Sequence, residues 1–192
     1  MEIILASKSP RRRELLARMG IKDFTVRPAQ GEPDARGLEP GAAVELIAGA
    51  KAEQIASLTG GDAVIIAADT LVFLDGEAMG KPLDEQDAFR MLRELSGREH
   101  TVCTGVAVLR GEYRAVTHES TRVRFAEMSD DEIWAYVRSG EPMDKAGAYG
   151  AQGLGAVFIE GMDGDFFNVI GLPVHRLYKM LRDAGVSFDF SA

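Results

Sequence analysis

The sequence has one cysteine, Cys103, so no disulfide can close within the chain and a reducing compartment is expected. The flanking Val102 and Thr104-Gly105-Val106 are strand-like and largely apolar, which favours a buried, inert thiol over a nucleophile. No apolar run approaches the roughly 18 residues that a membrane-crossing helix needs. The opening Met1-Glu2-Ile3-Ile4-Leu5-Ala6 is acidic and too short to read as a signal peptide, so a cytoplasmic location is expected. The three histidines, His100, His118 and His175, share no ligand spacing, which argues against a zinc site. There is no P-loop, no dinucleotide-binding glycine fingerprint, no internal repeat and no low-complexity linker. Basic residues are in deficit, 22 Lys and Arg against 30 Asp and Glu, and the net charge of -8 argues against general nucleic-acid binding.

What is present is enough for a real core. A chain of 192 residues suits a single domain over 1–192, or two lobes around a shared sheet. Strands and helices alternate irregularly, the signature of an α/β unit. Ala63 to Ala68 is a short apolar run suited to a strand buried on both faces. It meets Asp69-Thr70 and then resumes as Leu71-Val72-Phe73-Leu74. A carboxylate between two apolar runs is costly to bury unless something positive pairs with it. Lys81, in Gly80-Lys81-Pro82, and a divalent metal are the candidates. The alternative is a turn aspartate capping its own backbone.

Upstream, Ile3 to Ala6 reads as a strand that breaks at Ser7-Lys8-Ser9-Pro10. Ser9 suits a helix N-cap and Pro10 the first helical position. Arg11, Arg12 and Arg13 then fill the first turn, where the helix already carries partial positive charge. Cations there are unfavourable unless an anion arrives, so a phosphate site is indicated for Arg11 and Arg12. A solvated basic face is the competing reading, and it suits Arg13 and Arg18. The loop from Pro28 to Pro40 carries Glu32 and Asp34. A helix over about 42–58 follows, with Lys51 inside its apolar stripe, where a lysine ordinarily snorkels to solvent.

Farther on, Asp84 suits an N-cap, Ser129-Asp130-Asp131-Glu132 suits a capping box, and Thr101–Leu109 with Tyr113–Met128 suits a hairpin. Trp134 is expected in the core. Ala156–Glu160 and Phe166–Ile170 read as strands, and Pro173 opens the last helix. Between Ser139 and Gly155 lie five glycines without periodicity, a pattern that suggests backbone brought close to a ligand.

Several blocks, in order, resemble the Maf family of nucleotide pyrophosphatases. They are Ser7-Lys8-Ser9-Pro10-Arg11-Arg12, Ala68-Asp69-Thr70, Gly80-Lys81-Pro82, Ser96-Gly97, Thr104-Gly105-Val106 and Glu141-Pro142-Met143-Asp144-Lys145-Ala146-Gly147 through Gly153. The resemblance runs from Ile3 to Pro173. It implies an elongated mixed sheet with flanking helices, two lobes around a central cleft, similar to the inosine triphosphate pyrophosphatases. It also implies a divalent metal (Mg2+ or Mn2+), a homodimer, and cleavage of a nucleoside triphosphate to the monophosphate and pyrophosphate. Carried over by residue, Asp69 is the catalytic carboxylate, taken as the proton acceptor or a metal ligand, with Glu32, Lys51 and Lys81 as further catalytic residues. Asp69 and Glu32 would hold the metal. Ser7, Arg11 and Arg12 match the phosphate block. Arg11, Thr70 and Gln152 match the subgroup acting on dTTP and UTP; a sister subgroup acting on methylated guanine nucleotides has Trp, Gln and Glu there. The resemblance also reverses the default for Lys51. House-cleaning of nucleotides and a part in cell-division arrest are further implied roles. The competing classes are a non-enzymatic nucleotide-binding regulator of septum formation and a nucleotidyltransferase.

Overall fold

The computed structural model of the chain describes residues 1–188. In order, the elements are β1 (Ile3–Leu5), α1 (Pro10–Arg18), β2 (Thr25–Val26), α2 (Pro40–Ala56), β3 (Val64–Leu74), β4 (Glu77–Met79) and α3 (Glu85–Leu95). Then come β5 (Glu99–Arg110), β6 (Tyr113–Phe125), α4 (Asp130–Val137), β7 (Ile159–Asp163), α5 (Phe166–Ile170) and α6 (Val174–Asp183). The strands make a seven-stranded sheet in the order β2-β1-β3-β5-β6-β7, with β4 paired to β3. β1 runs parallel to β2 and β3, whereas β4 and β7 run antiparallel to their partners, so the sheet is mixed as expected.

The chain forms two compact units, and its path passes between them within β3, β5 and β6. The first comprises Met1–Asp69, Thr104–Glu119 and the chain from Gly171 onward; the second comprises Thr70–Cys103 and Ser120–Ile170. In the first unit, Ala48, Ala52 and Ile55 of α2 pack on Ile4, Ala63, Ile65 and Ala67. Each buried isoleucine here contributes about 1.5–3 kcal/mol, and each alanine methyl less than about 1 kcal/mol. The second unit has its own core, with Leu92 and Leu95 of α3, Val123 and Phe125 of β6, and Ile133 of α4.

Local signals place most elements. Ser9 caps α1 by accepting from the Arg12 amide, Asp84 caps α3 by accepting from the Asp87 amide, and Ser129 with Glu132 completes a capping box on α4. Cys103 is fully buried. Four expectations are corrected. α2 ends at Ala56, leaving Leu58 exposed. Trp134 is half-buried and stacks on Phe89 at 4.6 Å between centroids. Ala156 to Phe158 belongs to a 3-10 turn, and the strand begins only at Ile159. Phe166–Ile170 is helical because the Asp165 carboxylate accepts from the Phe167 amide at 2.8 Å and starts a turn that periodicity alone does not reveal.

Candidate active site

β3 has no turn at its acid. It runs unbroken for 11 residues, so Asp69 and Thr70 are successive strand residues facing opposite ways, and the turn-cap reading of Asp69 fails. Ala63, Ile65 and Ala67 share a face with Asp69, and that face packs against Ala48 and Ala52 of α2. Lys51, one helical turn from Ala48 and adjacent to Ala52, therefore stands beside the carboxylate where the apolar column ends. Its Nζ donates to Asp69 Oδ1 at 2.7 Å and to Glu32 Oε1 at 2.6 Å. The Lys51 and Asp69 side chains are only 13% and 11% exposed, whereas Glu32 is 58% exposed. The inner pair lies largely out of water, so it interacts more strongly than the outer one. Lys51 does not snorkel; it bridges two acids.

The loop after β1 brings the second group. Ser7 is buried, and its Oγ accepts from the Ser9 amide and from Arg12 Nη1, both at 3.2 Å. Arg12 Nε donates to the Gly171 carbonyl at 2.8 Å, which ties the start of α1 to the chain ahead of α6. Withdrawal from water lowers the Arg12 pKa from its usual value, the charge on Asp69 raises it in part, and neighbouring Arg11 lowers it further. The Arg12 cation is thus poorly hydrated, and an arriving anion would relieve that cost. Arg11 is half-buried beside it.

The first unit thus brings Ser7, Arg12, Glu32, Lys51 and Asp69 into one electrostatic neighbourhood, with Arg11 adjacent. Thr70, Lys81 and Gln152 belong to the second unit. There Lys81 is exposed, and the preceding Gly80 carbonyl accepts from the Gly147 amide at 3.0 Å. Gln152 is exposed in the turn between Gly150 and Gly153. The glycines of this segment meet protein side chains: a Cβ at Gly153 would lie 2.2 Å from Glu141 Oε2, and one at Gly155 would lie 2.5 Å from Tyr136 Oη. The close approaches of Gly153 and Gly155 are thus to Glu141 and Tyr136, residues that sequence reasoning did not assign. Glu141 opens the Glu-Pro-Met-Asp-Lys block, but its long reach to the glycine turn leaves no local signal.

Comparison with known proteins gives the family and the fold. The chain is 50% identical over 189 residues to the dTTP/UTP pyrophosphatase of Moorella thermoacetica, covering 96% of each. It is 48% identical to the protein of the same name from Aquifex aeolicus, covering 95% of each. Among solved structures, a HAM1 protein from Coxiella burnetii matches with a TM-score of 0.56 at 16% identity, covering 95% of this chain and 99% of that one. The Staphylococcus aureus Ham1 protein matches with a TM-score of 0.54 at 15% identity, covering 97% and 100%. These two show a shared fold. The family described as Maf-like protein matches residues 2–184, and the chain belongs to it.

Proposed function

We propose that this protein hydrolyses dTTP and UTP to the monophosphate and pyrophosphate. The observation that carries the reading is Lys51 held at 2.6 and 2.7 Å from Glu32 and Asp69, in the same unit as the Ser7–Arg12 phosphate block, in a chain half identical to a dTTP/UTP pyrophosphatase. In this mechanism Arg11 and Arg12 bind phosphate oxygens and offset their charge. Catalysis of phosphoryl transfer is mostly positioning and electrostatics of this kind. Water attacks the α-phosphorus, the bond from that phosphorus to the bridging oxygen breaks, and pyrophosphate leaves. Asp69 takes the proton from the water, and the Lys51 hydrogen bond orients Asp69 for that task. Lys81 is assigned to phosphate, and Thr70 and Gln152 to the pyrimidine base. Thr70 and Gln152 offer both donors and acceptors, and a mismatched base would leave buried polar groups unpaired.

The residues fit a divalent cation. Two carboxylates already share one positive centre, the Lys51 ammonium. No group of three or more His, Cys, Asp or Glu side chains suited to a metal occurs among the described residues. Asp69 and Glu32 would hold Mg2+ or Mn2+ only with phosphate oxygens and water completing the shell, a common arrangement for Mg2+. Such a cation would supply Lewis acidity and neutralise phosphate charge. A cytoplasmic homodimer acting on free nucleotide, with no nucleic acid or membrane partner, completes the proposal. No helix among the described residues is long and apolar enough to cross a membrane.

The test is direct. The protein is incubated with each common nucleoside triphosphate and Mg2+ or Mn2+, and monophosphate and pyrophosphate are assayed. We expect dTTP and UTP to lead the panel, and Asp69→Asn to lower kcat by about 100-fold or more, the scale of a lost general base. Near-normal turnover by a folded Asp69→Asn protein removes Asp69 from the mechanism. Absence of hydrolysis with retained nucleotide binding would favour the regulator.

A further inference from the structure

The second unit contains a small anchoring device with no assigned role. The Glu141 carboxylate accepts three hydrogen bonds: from Tyr136 Oη at 2.8 Å, from the Leu154 amide at 2.8 Å and from the Gly155 amide at 3.1 Å. Tyr136 Oη in turn accepts from the Gly150 amide at 3.1 Å. The turn from Gly150 to Gly155 is thus tied at both ends to one carboxylate and one phenol. The glycines make this possible. A Cβ at Gly150 would lie 2.8 Å from Lys145 Cε, and one at Gly153 would overlap the Glu141 carboxylate at 2.2 Å. Glu141 is itself fixed: its amide donates to Ser139 Oγ at 3.2 Å, and its carbonyl accepts from Lys145 Nζ at 2.6 Å. Burial raises the Glu141 pKa, but the two amides and the phenol outweigh it, and the net result lies below the ordinary glutamate value. The carboxylate is therefore ionised when it holds the turn. Charge-assisted bonds of this kind are about twice as strong as neutral ones.

The one polar side chain within this turn, the exposed Gln152, makes no hydrogen bond among the described residues and stands between the two anchored ends. We infer that Glu141, with Tyr136, is a positioning residue for base selection, which fixes the turn so that Gln152 meets the pyrimidine in a single orientation. This rests on the assignment of Gln152 to the base. A side chain that reads a base edge by hydrogen bonds must be held to within a fraction of an ångström, and supporting bonds accomplish that. Neither Glu141 nor Tyr136 needs to touch the nucleotide.

The experiment measures kcat and KM for dTTP and for dGTP in the parent protein and in Glu141→Gln, Tyr136→Phe, Gln152→Ala and Glu141→Gln/Gln152→Ala. Glu141→Gln puts an amide donor where acceptors are needed. It is expected to lower the dTTP-over-dGTP ratio of kcat/KM by about tenfold, chiefly through KM for dTTP. Tyr136→Phe keeps the packing and removes the hydroxyl that donates to Glu141 and accepts from Gly150, and is expected to lower the ratio by about threefold, which keeps the test open if Glu141→Gln folds poorly. Gln152→Ala should abolish most of the discrimination, and the double variant should lose no more than Gln152→Ala alone, because both act through one contact. A purely structural role would lower both substrates together and leave the ratio intact. Should Gln152→Ala collapse the ratio while Glu141→Gln and Tyr136→Phe preserve it, the positioning role is wrong and the base assignment stands. Should Gln152→Ala leave the ratio at the parent value, both fall.

Discussion

At the scale of single residues, Lys51 is the most informative position. A lysine on the apolar stripe of a helix is unremarkable when it reaches solvent, yet this one is only 13% exposed and ends between two acids. Its ammonium is hydrogen-bonded to both carboxylates, and the nearby Arg12 also feels their charge, so Lys51 supplies the direct part of the compensation. Removing the ammonium in Lys51→Met should therefore destabilise the protein. Breaking a fully buried pair costs about 3–5 kcal/mol, and solvent around Glu32 reduces this to about 2 kcal/mol. We also expect Mn2+ to raise the Tm of Lys51→Met by more than it raises that of the parent, because the metal replaces the missing charge. Thermal unfolding with and without Mn2+ measures both. Equal Mn2+ shifts in the two proteins would show that the carboxylates and the metal do not share one position.

At the scale of elements, the placement of Lys51 depends on how closely α2 lies on the sheet. Gly105 in β5 sets that distance: a Cβ there would sit 2.1 Å from the Val44 carbonyl oxygen of α2, a backbone atom that cannot swing aside. Gly105→Ala must push the helix off the strand. Overpacking of this kind costs about 1–3 kcal/mol, and backbone on both sides puts the expectation at the upper end. Activity should fall with it, since Lys51 rides on the displaced helix. Gly49, within α2, is the control. An added Cβ meets only Val116 at an ordinary 3.7 Å, so Gly49→Ala should stabilise the protein by about 0.5–1 kcal/mol through helix propensity. Urea unfolding of the two variants separates close packing from a general intolerance of change in this region. A Gly105→Ala protein as stable as the parent would mean that the helix can shift at little cost.

At the scale of the whole molecule, what the sequence disclosed and what it hid divide by range. Ser9-Pro10, Asp84 and Ser129 through Glu132 are local devices whose partners lie three residues away, and they were legible. Asp69 was legible as an anomaly, an acid between apolar runs, but its partner Lys51 is 18 positions back and only the family resemblance connected the two. Phe166–Ile170 starts on the Asp165 carboxylate, and Asn168 at its centre is also held from afar, its Nδ2 donating to the Val102 carbonyl and to Thr121 Oγ1 at 2.9 Å each, which periodicity does not reveal. His100 is another residue whose importance only tertiary contacts reveal. It is buried edge-on to Phe125 and Tyr149, with Nε2 2.8 Å from Tyr149 Oη and Nδ1 without a partner among the described residues. Burial lowers its pKa from 6.5 to about 4. The unfolded chain therefore binds the His100 proton at a higher pH than the folded protein does. Stability from this residue is complete above pH 6.5 and declines as pH falls toward about 4, below which both states are protonated. The loss across that window is about 3 kcal/mol at most. His100→Phe removes the titration while keeping an aromatic ring. It strands the Tyr149 hydroxyl, but at a cost that does not vary with pH in this range. Urea unfolding at pH 7, 5.5 and 4.5 should accordingly show the parent losing its advantage over His100→Phe as the solution is acidified. Parallel pH profiles for the two proteins would mean that His100 is protonated in the folded state as readily as in the unfolded one.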